Sequence, residues 1–112
     1  MLTLTAYNNE RFQWSQNLTA WAEIYNLALA TFRMHVRPDP TSSNVLIEFV
    51  TGGADAVILY DNTSHIMVAS APISKVQNLK STYAFDFGFT MPGGEFERIG
   101  GGTIEFKQGV TR

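Results

Sequence analysis

Residues 83–91 read Tyr-Ala-Phe-Asp-Phe-Gly-Phe-Thr-Met, and this alternation of large apolar residues with small or polar ones decides the fold. Successive side chains of a β-strand point to opposite faces, so a period of two places five large side chains on one face. A strand with so much apolar surface on one side has to pack against a second layer. The stretch therefore predicts a sheet that covers a deep core.

Shorter segments with the same alternation lie on both sides of this stretch, separated by clusters of Gly, Pro, Asp and Asn. This spacing of strand and turn signals is typical of a β-sandwich or a small barrel. We predict one all-β domain over residues 1–112, an immunoglobulin-like antiparallel β-sandwich of about eight or nine strands. Its other strands are predicted at residues 31–37, 45–50, 56–60, 65–70, 95–99 and 103–107.

The connections carry their own signals. Residues 61–64 suit a hairpin loop, residues 92–94 suit a turn, and three glycines at 100–102 suit a bulge or a tight bend between the last two strands. The segment 73–79 breaks the alternation. Its apolar residues are spaced by three, which predicts a short helical turn that buries them together. These residues are Ile73, Val76 and Leu79.

The segment 12–30 fits two interpretations. An amphipathic helix starting near Asn17 would carry an apolar stripe along one side. The stripe would consist of Trp21, Tyr25, Ala28, Leu29 and Phe32. Two strands would instead use one alternating pair and one alternating triplet. These are Phe12 with Trp14, and Ala20 with Ala22 and Ile24. Periodicity alone leaves both open.

Composition excludes several classes of function. Eight basic and ten acidic side chains give a net charge of −2, which argues against nucleic acid and anionic membrane surfaces as partners. The absence of cysteine excludes disulfides, thiol catalysis and Cys-ligated zinc. The first residues lack the pattern of a signal peptide, and no apolar run approaches the ~18 residues that span a bilayer. We therefore expect a protein that is not secreted by a signal peptide.

No pattern for catalysis, a cofactor or a metal emerges, so we expect a non-enzymatic protein. His35 and His65 have no further ligand-type residue at metal-binding spacing. They are interpreted as an exposed strand residue and a residue beside a turn. Ser64 and His65 are adjacent on a strand, so their side chains would point to opposite faces and would not form a catalytic pair.

Four residues are expected to have structural roles. Arg33, Arg37 and Asp86 fall on the polar faces of apolar strands. If those strands are neighbours, Asp86 pairs with one of the arginines across the sheet and fixes the register; the other interpretation is a polar contact patch. Tyr83 begins the richest strand after an irregular segment, which predicts a tyrosine corner. Its hydroxyl would then meet the backbone near residues 78–80.

Residues 83–87 resemble the Y-x-aromatic-D-apolar strand of a class of short phage and prophage proteins, and residues 30–37 resemble its ATxRMxVR strand. Further matches follow in the order of that class: Gly93-Gly94, Arg98-Ile99, Gly102, Ile104, Phe106 and Gly109-Val110-Thr111-Arg112. The resemblance covers roughly residues 28–112. It implies an immunoglobulin-like sandwich, it favours strands at the N-terminus, and it brings no active site.

The resemblance also implies a function. We expect a structural or assembly protein of a phage or prophage particle, associated with the tail or neck and acting through protein–protein contacts. Its partners would be other phage structural proteins, or copies of itself joined through a sheet edge or face. It would be found in the host cytoplasm during assembly and then in the virion. The alternative is the carbohydrate-binding module of a phage adhesin, in which Trp14, Trp21 or Tyr60 stacks on sugars.

Overall fold

The structure, a computed structural model, describes residues 2–109. Val110, Thr111 and Arg112, which belong to the C-terminal part of the resemblance, lie outside the described residues. The elements in chain order are β1 (Leu2–Tyr7), β2 (Phe12–Asn17), α1 (Thr19–Ala22), a 3₁₀ turn (Leu27–Leu29), β3 (Thr31–Arg37), β4 (Ile47–Thr51), β5 (Val57–Asp61), β6 (Ile66–Ala71), α2 (Ile73–Val76), β7 (Thr82–Thr90) and β8 (Phe96–Lys107).

All eight strands belong to one hydrogen-bonded sheet in the order β1-β8-β7-β3-β4-β5-β6-β2. The sheet folds back on itself, because β2 at one end packs against strands near the other end. The ring of Trp14 on β2, for example, lies 5.0 Å from that of Phe87 on β7. The predicted all-β class and strand number are confirmed, and the nearly barrel-like sheet is compatible with the predicted immunoglobulin-like sandwich.

The prediction that all strands pair antiparallel is wrong. β1 pairs with β8 in parallel, and β4 pairs with β5 in parallel over two residue positions. The other five pairs of neighbouring strands are antiparallel.

The alternation on β7 works as the sequence predicts. Phe85, Phe87 and Phe89 are buried between the two layers, and Tyr83 and Met91 pack half-buried at the two ends of this row. After the strand, the backbone N–H of Gly94 donates to the carbonyl of Met91 at 2.9 Å, and Gly93 has a φ of 76°. Glycine populates this left-handed region at little cost, so the predicted turn is confirmed.

The last two predicted strands form one strand instead. β8 continues through the glycines at 100–102, and the bulge falls at Ile99, since Phe87 faces Gly100 while Gly88 faces Arg98. A bulge therefore exists, but it lies one residue before the glycines at which it was predicted, and the predicted break is wrong. A Cβ on Gly102 would collide with the backbone of Leu2, so this glycine allows β1 to lie alongside β8.

Both interpretations of the segment 12–30 were partly wrong. Phe12 and Trp14 do lie on a strand, β2, but residues 20–24 do not form a second one. The chain turns there because Asn17 Oδ1 accepts hydrogen bonds from the Thr19 N–H at 2.9 Å and the Thr19 hydroxyl at 2.7 Å. The helix that follows has only four residues, and Phe32 already belongs to β3.

The helical turn predicted near residues 73–79 exists as α2, but its burial differs from the prediction. Val76 is fully buried and Leu79 packs half-buried against the core, whereas Ile73 is exposed. A helix of four residues cannot present three residues to the core, and only its last residue reaches it.

Candidate functional site

The two end strands of the sheet leave an open seam. β1 and β2 are consecutive in the chain and antiparallel, as the pairing directions through the sheet require, but no ladder joins them within residues 2–109. Residues 8–11 connect them at one end, so the strands are held together there. At the other end, near Leu2 and Gln16, the seam opens into a cleft with a volume of ≈650 Å³. This cleft, called the mouth below, lies in the size range of ligand pockets.

One wall of the mouth is a sheet edge. β1 covers only the half of β8 from Gly102 to Lys107. Residues 96–101 pair with β7 on one side, and no other described strand pairs with them on the opposite side. Backbone groups on that side form an open edge, which is a template for a further strand.

The mouth extends around this edge to both faces of the sheet. Phe85 and Phe87 contribute from the inner face, together with Trp21, which follows β2. Asp86 and Arg98 contribute from the outer face. The mouth therefore has an aromatic side within the molecule and a charged side on its surface.

The charged side continues into a network on the outer face of β3. Arg37 Nη2 donates to His35 Nδ1 at 2.8 Å, and His35 Nε2 lies 2.7 Å from Glu48 Oε2. Arginine can only donate, so Nδ1 accepts and Nε2 carries the proton that is donated to Glu48. His35 was expected to be exposed, but its side chain is only 11% exposed because these neighbours flank it.

The predicted pair between Asp86 and an arginine is not formed among the described residues. The ion pairs there are His35–Glu48 and Lys75–Asp55. Asp86 faces His35 across the sheet, which is the position that the prediction gave to an arginine.

Both arginines are engaged elsewhere. The guanidinium of Arg33 lies 4.1 Å from the ring centre of Phe96, and Arg37 Nη1 donates to the carbonyl of Ser42 at 3.2 Å. The carboxylate linked to Arg37 across the sheet is that of Glu48 on β4, through His35, and not that of Asp86. Arg33 and Arg37 therefore link the outer face through contacts with an aromatic ring, a histidine and a loop.

Arg98 is the functional candidate that sequence reasoning missed. Its Nη2 lies 2.5 Å from the position of a Cβ on Gly101, so the guanidinium lies over a residue without a side chain. Together with Arg37 it places two cations at the mouth against one carboxylate of the described residues, that of Asp86. The available signal is an arginine close to three glycines, which is interpreted from the sequence as a bulge or a tight bend between two strands.

The predicted tyrosine corner is confirmed. The backbone N–H of Lys80 donates to the Tyr83 hydroxyl at 3.2 Å, and the Tyr83 ring packs edge-on against Phe106 at 5.9 Å. Tyr83 thus ties the segment after α2 to the start of β7, which is a structural role.

The structure does not bring the three predicted sugar-stacking residues together. Trp14, Trp21 and Tyr60 line three different clefts. Each also packs on a core phenylalanine: Trp14 on Phe87, Trp21 on Phe89 and Tyr60 on Phe32.

Tyr60 has a polar contact as well, since its hydroxyl lies 2.9 Å from His65 Nδ1. Burial and the nearby charge of Asp61 raise the pKa of Tyr60 above its usual value. His65 is the last residue of the hairpin turn, with a φ of 60°, and lies in the turn rather than beside it, because β6 begins one residue later at Ile66.

Within residues 2–109, no group of three or more ligand-type side chains is placed to hold a metal ion. No helix in this part of the chain is both long and apolar enough to cross a membrane. The sequence matches no known family model, and no curated protein is similar enough to count as a relative.

Proposed function

We propose that this protein is a non-enzymatic structural or assembly component of a phage or prophage particle, associated with the tail or neck, and that it acts through protein–protein contacts. The placement in a particle rests on the sequence resemblance over residues 28–112. The contact function is supported by one structural observation, an apolar stripe on the outer face of the layer formed by β5 and β6.

The stripe consists of Val57 and Leu59 on β5 with Ile66 and Val68 on β6. Leu59 faces Val68 directly across the ladder, and these residues alternate with the buried Ile58 and Met67. Leu59 is 64% exposed. An apolar row on the solvent side of a sheet costs free energy in an isolated molecule, and such patches often mark protein interfaces.

The experiment replaces Leu59 with Lys and measures molar mass by light scattering over a concentration series. If the stripe is a contact surface for copies of the chain, the wild type gains mass with concentration and Leu59→Lys does not. Ile73→Lys is the matched control, because Ile73 is also apolar and exposed (44%) but lies on α2. A wild type that stays monomeric and binds no particle protein would overturn the contact function.

The particle assignment has a separate test. Flanking genes for capsid, terminase or tail proteins are expected, and antibodies against the protein should detect it in purified particles. Detection in lysates but not in particles would contradict the assignment.

Carbohydrate binding is the second candidate, and Trp21 is the residue that favours it. This side chain is half-buried and lines the mouth beside Gln16 and Asp86, which can hydrogen-bond to sugar hydroxyls. Oligosaccharides of the host surface should then quench tryptophan fluorescence in the wild type but less in Trp21→Phe. Trp14→Phe is the control, because Trp14 lines a different cleft.

A further inference from the structure

The open edge of β8 has the geometry of a strand-binding site. The first six residues of β8, 96–101, precede the half of the strand that pairs with β1, which begins at Gly102. In an extended strand, N–H and C=O groups project alternately to the two edges, so about half of those in this segment point away from β7. A peptide laid along this edge would continue the line of β1 and complete the sheet.

The two sides of the mouth would receive different side chains. Successive residues of a bound strand point to opposite faces of the sheet. On the inner side they would meet Trp21, Phe85 and Phe87, which are aromatic. On the outer side they would meet Arg98, and Gly101 adds no side chain that would obstruct them.

The charge of the outer side selects the partner. Within residues 2–109 Arg98 makes no ion pair, and the hydrogen bonds of Arg37 go to the His35 Nδ1 atom and the Ser42 carbonyl. A carboxylate is the side chain that a guanidinium binds best, through two parallel hydrogen bonds. Among the described residues, Asp86 is the one carboxylate on the wall of the mouth, against the two guanidinium groups of Arg98 and Arg37.

We propose that the free half of β8, residues 96–101, binds an extended segment of a partner protein in which an acidic side chain alternates with apolar ones. The acidic side chain lies against Arg98, and the apolar ones enter the mouth against Trp21. This inference rests on the proposed protein-contact function, but it uses residues distinct from the apolar stripe around Leu59.

The experiment titrates ¹⁵N-labelled protein with the peptide acetyl-Val-Glu-Val-Glu-Val-amide and follows backbone amide shifts. The shifts should concentrate at residues 96–101 and be smaller at 102–107, which β1 covers. The same peptide with lysine in place of glutamate should bind at least ~10-fold more weakly, a loss of about 1.4 kcal/mol. A peptide whose backbone nitrogens facing β8 are methylated should not bind, since methylation removes the N–H donors that the peptide contributes to the ladder.

Two variants with the same change of charge on the same strand locate the site. Arg98→Glu should weaken binding of the glutamate peptide by at least ~10-fold, because it replaces a bidentate partner with a like charge. Lys107→Glu lies on the covered half of β8 and should change affinity by no more than ~2-fold, since exposed charges at this distance are screened. Both positions are exposed, so both variants are expected to fold.

Equal binding of the lysine peptide, or equal effects of the two variants, would overturn the proposal. Concentration-dependent shifts at residues 96–101 without peptide would assign the edge to a second copy of the chain and overturn the partner stated here. Binding of oligosaccharide but not peptide would favour the carbohydrate alternative. If the peptide does not bind but self-association still depends on Leu59, only the strand-binding proposal is contradicted. If the peptide binds but self-association does not depend on Leu59, the contact function of the stripe is contradicted and the strand-binding proposal is kept.

Discussion

The two faces of β7 are determined in different ways. On the inner face, Phe85, Phe87 and Phe89 are all buried, as the period of two predicts. On the outer face, Asp86 has no ion pair within residues 2–109, and Gly88 lies under the ring of Phe96. Burial on the inner face can be predicted from the sequence of β7 alone. The outer face depends on what the neighbouring strands place beside each residue.

The difference has a physical origin. Apolar burial is non-directional and scales with area, so any large apolar residue on the inner face finds a stabilising contact. Ion pairs and hydrogen bonds weaken when the distance between the two groups changes by a few tenths of an ångström. They therefore depend on which partner the neighbouring strands place within reach. Substitutions on the inner face should therefore give large and predictable losses of stability, whereas those on the outer face should depend on specific neighbours.

Phe87→Ala is expected to have the largest effect. Phe87 is 1% exposed and packs edge-on against Trp14, so truncation leaves a cavity between the layers. Loss of about 3–5 kcal/mol in the free energy of unfolding is typical of such a change. Denaturant unfolding measures it. Because the alanine variant can fail to fold, Phe87→Leu provides a milder second point, with an expected loss of about 1–1.5 kcal/mol. A loss below 1 kcal/mol for the alanine variant would show that the two layers are not packed there.

Gly88→Ala is the largest effect expected on the outer face. A Cβ there would collide with the Glu97 carbonyl oxygen and with the Phe96 ring. Overpacking of this kind costs about 1–3 kcal/mol, because backbone as well as a side chain has to move. Gly94→Ala is the control, since its nearest neighbour would be at an ordinary 3.4 Å and the change should stay within ~0.5 kcal/mol. Equal thermal stability of the two variants would mean that β7 and β8 are less closely paired than the structure shows.

The sequence was sufficient where one strand carries the whole signal. The bounds of β3 were predicted at 31–37 and are Thr31–Arg37 in the structure, because alternation and the following proline mark both ends. The tyrosine corner was predictable for a similar reason, as its partner at Lys80 is only three residues away.

The sequence was insufficient where two distant segments decide together. Whether the glycines at 100–102 break β8 or continue it depends on Leu2, which lies alongside Gly102. Whether Glu48 or Asp86 is linked to the basic residues of β3 depends on strand order, because β3 has β4 on one side and β7 on the other. The mouth was not predictable at all, since it depends on β1 pairing with residues 102–107 of β8 and on a sheet that folds back with no ladder between β1 and β2 in the described part of the chain.

Glu48→Gln tests the outer-face network itself. Glutamine keeps an oxygen that can accept the proton of His35 Nε2 but removes the negative charge. Glu48 is 55% exposed, so solvent screens most of the interaction and the expected loss is no more than ~1 kcal/mol. Asp55→Asn is the control, because the Lys75–Asp55 pair is longer, at 3.7 Å, and exposed on both sides. Thermal unfolding at neutral pH compares them, and a larger loss for Asp55→Asn would contradict the importance assigned to His35–Glu48.

Asp86→Asn should change stability least, within ~0.5 kcal/mol, because no ion pair of the described residues involves this carboxylate. A loss near 1 kcal/mol would instead restore the cross-strand pair that the sequence suggested. The same substitution has a second readout at the mouth, where it removes the one carboxylate beside Arg37 and Arg98. Binding of the glutamate peptide should become tighter, since repulsion of the incoming acid disappears. Unchanged stability with tighter binding would show that the outer face of β7 serves a partner rather than the fold, whereas weaker binding would mean that Asp86 itself holds the peptide.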